Sequence, residues 1–376
     1  MEKRSQIDSF RVVHLSSAVE WRGGEQQMLY LWQGLEVKRV NQWIWVPSGQ
    51  VERKLLREKV ILKKLFFRQP WFLIDALRLW YFCKKNKIDL IHAHDSKAHS
   101  LAYLSGSLLG LKTPVIVHRR VDNHIKRTFI TKKKYLYTQL KKIICVSSNI
   151  KRVVDANLPE TREKSVVIYS GVPKPEPTHR NKRTMRDQLS IGKNEVLVGN
   201  ISALDYHKDP HTFFDLAKKM IGEGFEGKFL WIGGGEPLKI ELTERVLESG
   251  LEKQILFTGY LENAKTYLHE LDVFLFTSSS EGLGTTVLDA MISKVPVVAT
   301  AGGGVPELIS HENTGILVPV GDLDGLSEGI KSILSGHKER EKIIEAAYIK
   351  ASTGFSVEKM VEETHDLYRR TLKVAD

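Results

Sequence analysis

The 376-residue chain reads as an α/β protein built from two doubly wound parallel sheets. Three observations predict this. Short apolar runs alternate with amphipathic segments along most of the length, as buried parallel strands alternate with covering helices. The alternation pauses once, at Gly171 to Arg183 (GVPKPEPTHRNKR), where three prolines and many charges erase any periodicity. Finally, the length exceeds what one ordinary core fills, so two domains are expected.

The first series places strands at Val12 to Leu15, Gln42 to Val46, Val60 to Leu65, Leu90 to His92, Val115 to His118, Ile143 to Val146 and Val166 to Tyr169. Helical periodicity fills Glu25 to Leu35, Pro70 to Lys85, Ala98 to Leu109 and Thr128 to Lys141. The second series runs strand Val196 to Ile201, helix Thr212 to Ile221, strand Lys228 to Ile232, helix Leu238 to Ser249, strand Ile255 to Thr258 and helix Ala264 to His269. Strand Val273 to Phe276, a helix from Thr285 and strand Val295 to Ala299 follow, and the chain from Leu323 reads as helical to its end.

Bulk properties narrow the function class. No apolar run approaches the roughly 18 residues a membrane span needs, and the N-terminus lacks an apolar signal core, so a cytoplasmic protein is expected. Cys83 and Cys145 sit in apolar contexts without metal-type spacing and read as reduced, buried thiols. Charge is polarised. Residues 1–180 hold 34 Lys and Arg against 15 Asp and Glu, a balance of +19, while the remainder holds 22 against 30, a balance of −8. A basic first half points to an acidic partner such as a membrane surface, an anionic acceptor or nucleic acid.

Thr277 to Glu307 is the most informative stretch. An apolar strand runs into Ser278, Ser279 and Ser280, then Glu281, the turn Gly282-Leu283-Gly284 and a helix opening with Thr285 and Thr286. A helix start wrapped in small and hydroxyl residues presents free amides and the positive end of the helix dipole, which suits a phosphate. A carboxylate beside that cradle reads as an acceptor for sugar hydroxyls. Glu281 is followed, after seven residues, by Asp289, then Ala290-Met291, Pro296-Val297-Val298 and Gly303-Gly304 with Glu307.

This pattern resembles the nucleotide-sugar signature of retaining glycosyltransferase family 4, in which a Glu, seven residues and a second Glu recur. Asp289 departs from it by one methylene. The resemblance implies a GT-B fold, two Rossmann-like domains facing a central cleft: an acceptor-binding domain over 1–172, a linker over 173–185, a nucleotide-sugar domain over 186–355, and a last helix, 356–376, crossing back. It also implies a diphosphate-binding Arg and Lys after the strand ending at Asn200. Lys208 matches the Lys; residues 196–207 contain no Arg, leaving Asn200, Ser202 or His207 as substitutes.

By the same resemblance Gly282, Leu283, Gly284, Thr285, Thr286 and Asp289 join Lys208 and Glu281 around the donor, with the backbone of Gly259 and Tyr260 near the base. Gly23 and Gly24 follow the first strand and face the cleft. His118 matches the family histidine near the anomeric carbon; His94 is a second cleft candidate, and His92 reads as structural. Catalytic roles fall to His118, Glu281 and Lys208, with no protein nucleophile, because the leaving diphosphate helps deprotonate the acceptor. Gly233 to Gly235 fit a tight turn as well as a ligand loop, and they lack the GxGxxG spacing of a dinucleotide site.

No metal or cofactor is expected. His92 and His94 are two residues apart with no completing ligand, and Asp322-Leu323-Asp324 reads as a helix cap. Two segments, Pro70 to Lys87 with Trp71, Trp80, Tyr81 and Phe82, and Lys126 to Lys142 with Phe129, Tyr135 and Tyr137, interleave aromatics with cations. They suit an anionic membrane surface, which places the protein peripherally at the inner face; solvated helix faces are the plainer alternative. Without an RNA-binding motif, nucleic acid ranks last. The expected function is transfer of a sugar from a nucleotide-diphosphate sugar to a lipid-linked or cell-surface glycan precursor. A sugar-nucleotide epimerase on the same fold, or an impaired binding module, are the rival readings.

Overall fold

The structure is a computed structural model that describes residues 10–67, 72–122, 125, 128–174 and 184–373. The chain divides into two compact units, Met1–Gly171 with Val357–Asp376, and Val172–Ser356.

The first unit runs β1 (Arg11–Leu15), α1 (Gly23–Val37), β2 (Asn41–Pro47), α2 (Gln50–Arg57), β3 (Leu62–Leu65), α3 (Phe72–Lys85), β4 (Leu90–Ala93), α4 (Ser96–Leu109), β5 (Val115–Arg119), α5 (Phe129–Leu136), β6 (Leu140–Cys145), α6 (Ser148–Asn157) and β7 (Ser165–Val167). Its strands pair in parallel in the order β3-β2-β1-β4-β5-β6-β7. The second unit runs α7 (Met185–Gln188), β8 (Val196–Ile201), α8 (Pro210–Gly222), β9 (Gly227–Ile232), α9 (Glu236–Glu248), β10 (Ile255–Gly259), β11 (Val273–Phe276), α10 (Thr285–Ile292), β12 (Val297–Thr300), α11 (Val305–Leu308), β13 (Ile316–Val318), α12 (Leu323–Ser335) and α13 (His337–Gly354). Its parallel sheet has the order β10-β9-β8-β11-β12-β13. The last helix, α14 (Val357–Lys373), belongs to the first unit, where Val361, Leu367 and Tyr368 pack with Val12, Leu35 and Ile116.

Each sheet reverses its strand order once, between β1 and β4 and between β8 and β11. The strands at these reversals are covered on both faces, which is why their sequences run apolar without alternation. Every residue of β4 (LIHA), β11 (VFLF) and β12 (VVAT) is buried. Ligands of doubly wound sheets sit beyond the carboxyl ends of the strands at such reversals.

Some elements differ from the sequence expectation. The helix expected over Thr128 to Lys141 stops at Leu136, because Tyr137 leaves helical angles (φ −54, ψ 134) and Leu140 already opens β6. Lys142 pairs with Ile116 across β5 and β6, so its charge hides a strand position. Residues Ala264–Glu270 form a 3₁₀ helix, not an α-helix. Helix α2 buries only Val51 and Leu55, too short a stripe to register as periodicity. Most of the expected linker, and Trp71, Lys126 and Arg127, lie outside the described residues. The Thr184 hydroxyl accepts from Asp187 N at 3.0 Å and caps α7.

Candidate active site

At the reversal of the second sheet, β8 leads to Lys208 and β11 leads to Glu281. Their side chains form an ion pair, 16% and 10% exposed. Ser278 Oγ donates to the same Glu281 oxygen at 2.9 Å, and the Lys208 ammonium lies 5.5 Å from the centre of the Phe276 ring. Two loops are stitched to bring this about: Ser279 N donates to His207 O at 2.9 Å, and Thr277 Oγ1 donates to Asp209 O at 2.9 Å. The loop before α10 ends at Gly284, whose φ of +94 a side chain would oppose. Among the described residues no side chain caps α10, so its first turn (Thr285, Thr286) keeps the electropositive amide end that an anion needs.

The second glycine run explains itself here. A Cβ at Gly302, Gly303 or Gly304 would stand 2.2, 2.1 and 2.4 Å from the carbonyl oxygens of Ser278, Glu281 and Gly282. The Glu281 loop therefore lies directly on the backbone of residues 302–304, and Gly304 N donates to Glu281 O at 2.9 Å.

Other nominated residues make contacts of their own within the second unit. Asn200 Nδ2 donates to Leu275 O at 2.7 Å while its Oδ1 accepts from Ser202 at 2.7 Å, so this amide ties β8 to β11. Asp289 is buried one turn into α10 with Lys265 Nζ at 2.5 Å, a partner the sequence did not nominate. Burial raises its carboxyl above the ordinary range and Lys265 opposes that. Gly259 has φ +79 at a bulge in β10, and Tyr260 beside it is exposed. Gly233 sits where a Cβ would be 1.7 Å from Ser202 O, the tight-packing explanation of that cluster. Asp322 accepts from Gly325 N at 2.9 Å and caps α12, as expected. His207 pairs with Asp205 at 3.2 Å on the surface.

At the reversal of the first sheet, His14 lies near the end of β1, His92 in β4 with His94 just after it, and His118 near the end of β5; all four are buried. The rings of His92 and His118 stack at 5.3 Å with 7° between planes. Arg120 lies among them, donating to His94 Nδ1 at 3.3 Å, to His94 O at 3.2 Å and to His118 Nδ1 at 3.2 Å. Its Cδ is 3.4 Å from where a Cβ of Gly24 would stand, so Gly24, His94 and His118 all lie against this one side chain. Sequence reasoning missed Arg120; the signal available was a charge directly after the strand that carries His118. His92 Nδ1 bonds Tyr368 OH at 2.5 Å, in keeping with a structural role.

Burial holds the imidazoles neutral. His14 is lowered to about 4, mainly by desolvation, with Arg120 adding to it and the Gln42 hydrogen bond opposing. His92, His94 and His118 are held well below the ordinary histidine value by burial first, then by Arg120 and neighbouring rings. Arg120 itself falls to about 10 through burial, with Glu25 and Asp95 opposing. His14, His92 and His94 bring ring nitrogens within 4.8 Å of one another. A divalent cation there would face the Arg120 charge with no carboxylate among its ligands, and His14 and His94 already bond each other, so the donor set fits a metal poorly.

The profile described as Glycosyl transferases group 1 matches residues 181–350, and that described as Glycosyltransferase Family 4 matches residues 21–174. The chain belongs to this family. It is a glycosyltransferase with the GT-B fold, acting with nucleotide sugars. Similar proteins include the N-acetyl-alpha-D-glucosaminyl L-malate synthase of Bacillus anthracis, 24% identical with 82% of each chain covered. Another is the UDP-Gal:alpha-D-GlcNAc-diphosphoundecaprenol alpha-1,3-galactosyltransferase of Escherichia coli, 25% identical with 78% of each covered. Among solved structures, a glycosyltransferase from Rickettsia africae superposes with a TM-score of 0.86 at 21% identity, covering 97% of this chain and 99% of that one. Anabaena HepE in complex with UDP and glucose gives 0.81 at 19% identity, covering 96% and 100%.

Proposed function

We propose that the second unit holds a nucleotide-diphosphate sugar at the Lys208–Glu281 pair and that the hexose is transferred with retention at its anomeric carbon. The observation that carries this is the pair itself, set beside the uncapped start of α10. An internal ion pair is an exchangeable arrangement. A diphosphate laid on the amides of Thr285 and Thr286 draws the Lys208 ammonium to its oxygens, and Glu281, released, accepts hydroxyl protons of the hexose. The bond from the anomeric carbon to the diphosphate oxygen then breaks and the bond to the acceptor oxygen forms on the same face. The acceptor proton passes to the leaving diphosphate. Lys208 and the helix start stabilise the charge that develops there. His118 is the histidine that contacts the sugar.

The acceptor reading is an anionic, lipid-linked or cell-surface glycan precursor met at a membrane. The basic first half supports it, as do exposed Phe129 and Ile130 on α5 beside Lys132 and Lys133. A groove of about 430 Å³ lined by Tyr103, Phe129, Lys132, Lys133 and Tyr137 adjoins them. Leu73, Leu77 and Tyr81 are likewise exposed on α3, while Tyr135 is buried and Phe82 packs edge-on against Trp43 and Trp45. Among the described residues no helix is long and apolar enough to cross a membrane.

Incubation with a panel of UDP-, GDP- and ADP-sugars and lipid-diphosphate acceptors, with the anomeric configuration of product read by NMR, tests the proposal. An α-donor giving an α-linked product supports it. An inverted product, or an epimerised donor without transfer, overturns it.

A further inference from the structure

Resting on the reading that His118 contacts the donor sugar, we infer that Arg120 is the positioning residue of His118: its guanidinium closes a hydrogen-bond chain that fixes His118 as a donor at Nε2. The chain starts at a main-chain oxygen. Gln42 Nε2 lies 2.9 Å from Trp32 O, and a carbonyl only accepts, so Oε1 is the end that faces His14 Nε2 at 3.2 Å. His14 therefore carries its proton on Nε2. Its bare Nδ1 faces His94 Nε2 at 3.0 Å, so His94 too carries its proton on Nε2. His94 Nδ1 is then bare, and both amino nitrogens of Arg120 donate to it at 3.3 Å. A guanidinium has donors only. Placed 3.2 Å from His118 Nδ1, it requires that nitrogen to be bare, which leaves the ring proton of His118 on Nε2.

The assignment is fixed from both ends. Read from Trp32, His94 Nδ1 must accept; read from Arg120, it must accept as well. Protonating His14 or His94 would set two N–H groups against each other, and protonating His118 would aim one at the guanidinium. The surrounding groups oppose protonation too. His92 and His94 come from β4, His14 from β1 and Tyr368 from α14, while Glu25 of α1 and Asp95, the cap of α4, act on Arg120 without an ion pair to it among the described residues. Burial and the Arg120 charge keep the imidazoles below their ordinary value.

The consequence is a role assignment. With its proton on Nε2 and Nδ1 occupied by Arg120, His118 has no free lone pair in the ring plane. It donates a hydrogen bond to an oxygen of the sugar and does not act as the base that deprotonates the acceptor.

Long-range ¹H–¹⁵N spectra of the full chain with labelled histidine read ring tautomers directly. The expected result is Nε2–H at His14, His94 and His118 in the wild type, unchanged from pH 8 to pH 6. Arg120→Met should mix the His94 and His118 tautomers, lower kcat about tenfold with little change in donor KM, and raise the acid limb of the pH profile toward the ordinary histidine value near 6.5. Arg120→Lys, a charge without the fork, should return the acid limb to its low position while the tautomers stay mixed. Nδ1–H at His118 in the wild type, or tautomers and kcat untouched by Arg120→Met, overturns the inference; the wild-type spectrum decides even if a variant misfolds. His118→Ala forms a separate arm. A loss of tenfold or more supports both readings, whereas wild-type turnover overturns the sugar contact whatever the tautomers.

Discussion

At the reversal in the first sheet one guanidinium lies among four neutral imidazoles and is held by its hydrogen bonds to His94 and His118. At the reversal in the second sheet a lysine and a glutamate neutralise each other at the edge of a helix start. The topological position is the same and the electrostatics are opposite. Neutral rings whose protons are fixed around one guanidinium form a rigid array, which suits a partner met through fixed hydrogen bonds. An ion pair can be opened by a competing anion, so it suits a ligand that brings its own charge. The contrast also makes the two sites respond differently to pH, to mutation and to bound nucleotide.

Acid should separate them most sharply. The buried histidines of the first unit have folded values depressed below the unfolded value near 6.5. Between the folded and unfolded values the unfolded chain binds more protons, so stability is present above about pH 6.5 and is lost as pH falls. Each histidine contributes up to about 1.4 kcal/mol per pH unit in that window. For His14 the window extends to about 4. Hydrogen exchange at pH 7 and pH 5 should show β1, β4 and β5 losing protection before β8 and β11. Equal loss in both units would end the comparison.

Lys208→Met should have the next largest effect. It leaves Glu281 buried without its cation, which costs about 3 kcal/mol, and it removes the diphosphate partner, which lowers kcat/KM by about 10²-fold. The double variant Lys208→Met with Glu281→Gln should recover most of the stability and none of the activity. If the double variant remains as unstable as the single one, the pair is not what holds the loop. Urea titration and a transfer assay read the two effects independently.

Gly303→Ala tests whether the glycine bed positions Glu281. The added Cβ would stand 2.1 Å from Glu281 O and 2.5 Å from Glu281 N at a residue with φ +57. A loss of about 2 kcal/mol is expected, with a higher donor KM from the displaced Glu281; an unchanged KM would show that the loop holds its shape without that contact.

The two sites were unequally legible in the sequence, and for a physical reason. The second is written locally: Ser278, Glu281, Gly284 and Gly303 lie within one strand–turn–helix–strand unit, so residue type and spacing alone point to a phosphate cradle. Even there, the bonds from Asn200 to Leu275 and from Lys265 to Asp289 span elements far apart in the chain and left no trace in spacing. The first site is assembled almost wholly from a distance. Gln42, His14, His94 and Arg120 come from β2, β1, β4 and the end of β5, and only the pairing of parallel strands brings them into line. His14 looked like an ordinary strand residue and Arg120 like one more cation in a basic half. Fold class, by contrast, follows from apolar runs that any central parallel strand needs. Element bounds were less legible: at Leu140 to Lys142 two lysines open an interior strand, and their charge concealed its period.

The smallest expected effect on the folded protein belongs to the surface of α5. Phe129 is 73% exposed and Ile130 72%, so neither holds the first unit together. Phe129→Glu with Ile130→Ser should change unfolding free energy by no more than about 0.5 kcal/mol, the usual limit for exposed positions. It should also leave transfer to a water-soluble acceptor unchanged. What it should abolish is flotation with vesicles containing anionic lipid, because an aromatic and an aliphatic side chain flanked by Lys132 and Lys133 supply both the apolar contact and the charge such a surface recognises. Replacing only Lys132 and Lys133 with glutamine should weaken flotation in anionic vesicles and do so more at low salt, where the Debye length is greatest. Binding that ignores both lipid charge and these four residues would return α5 to an ordinary solvated helix and move the anionic partner elsewhere on the basic unit.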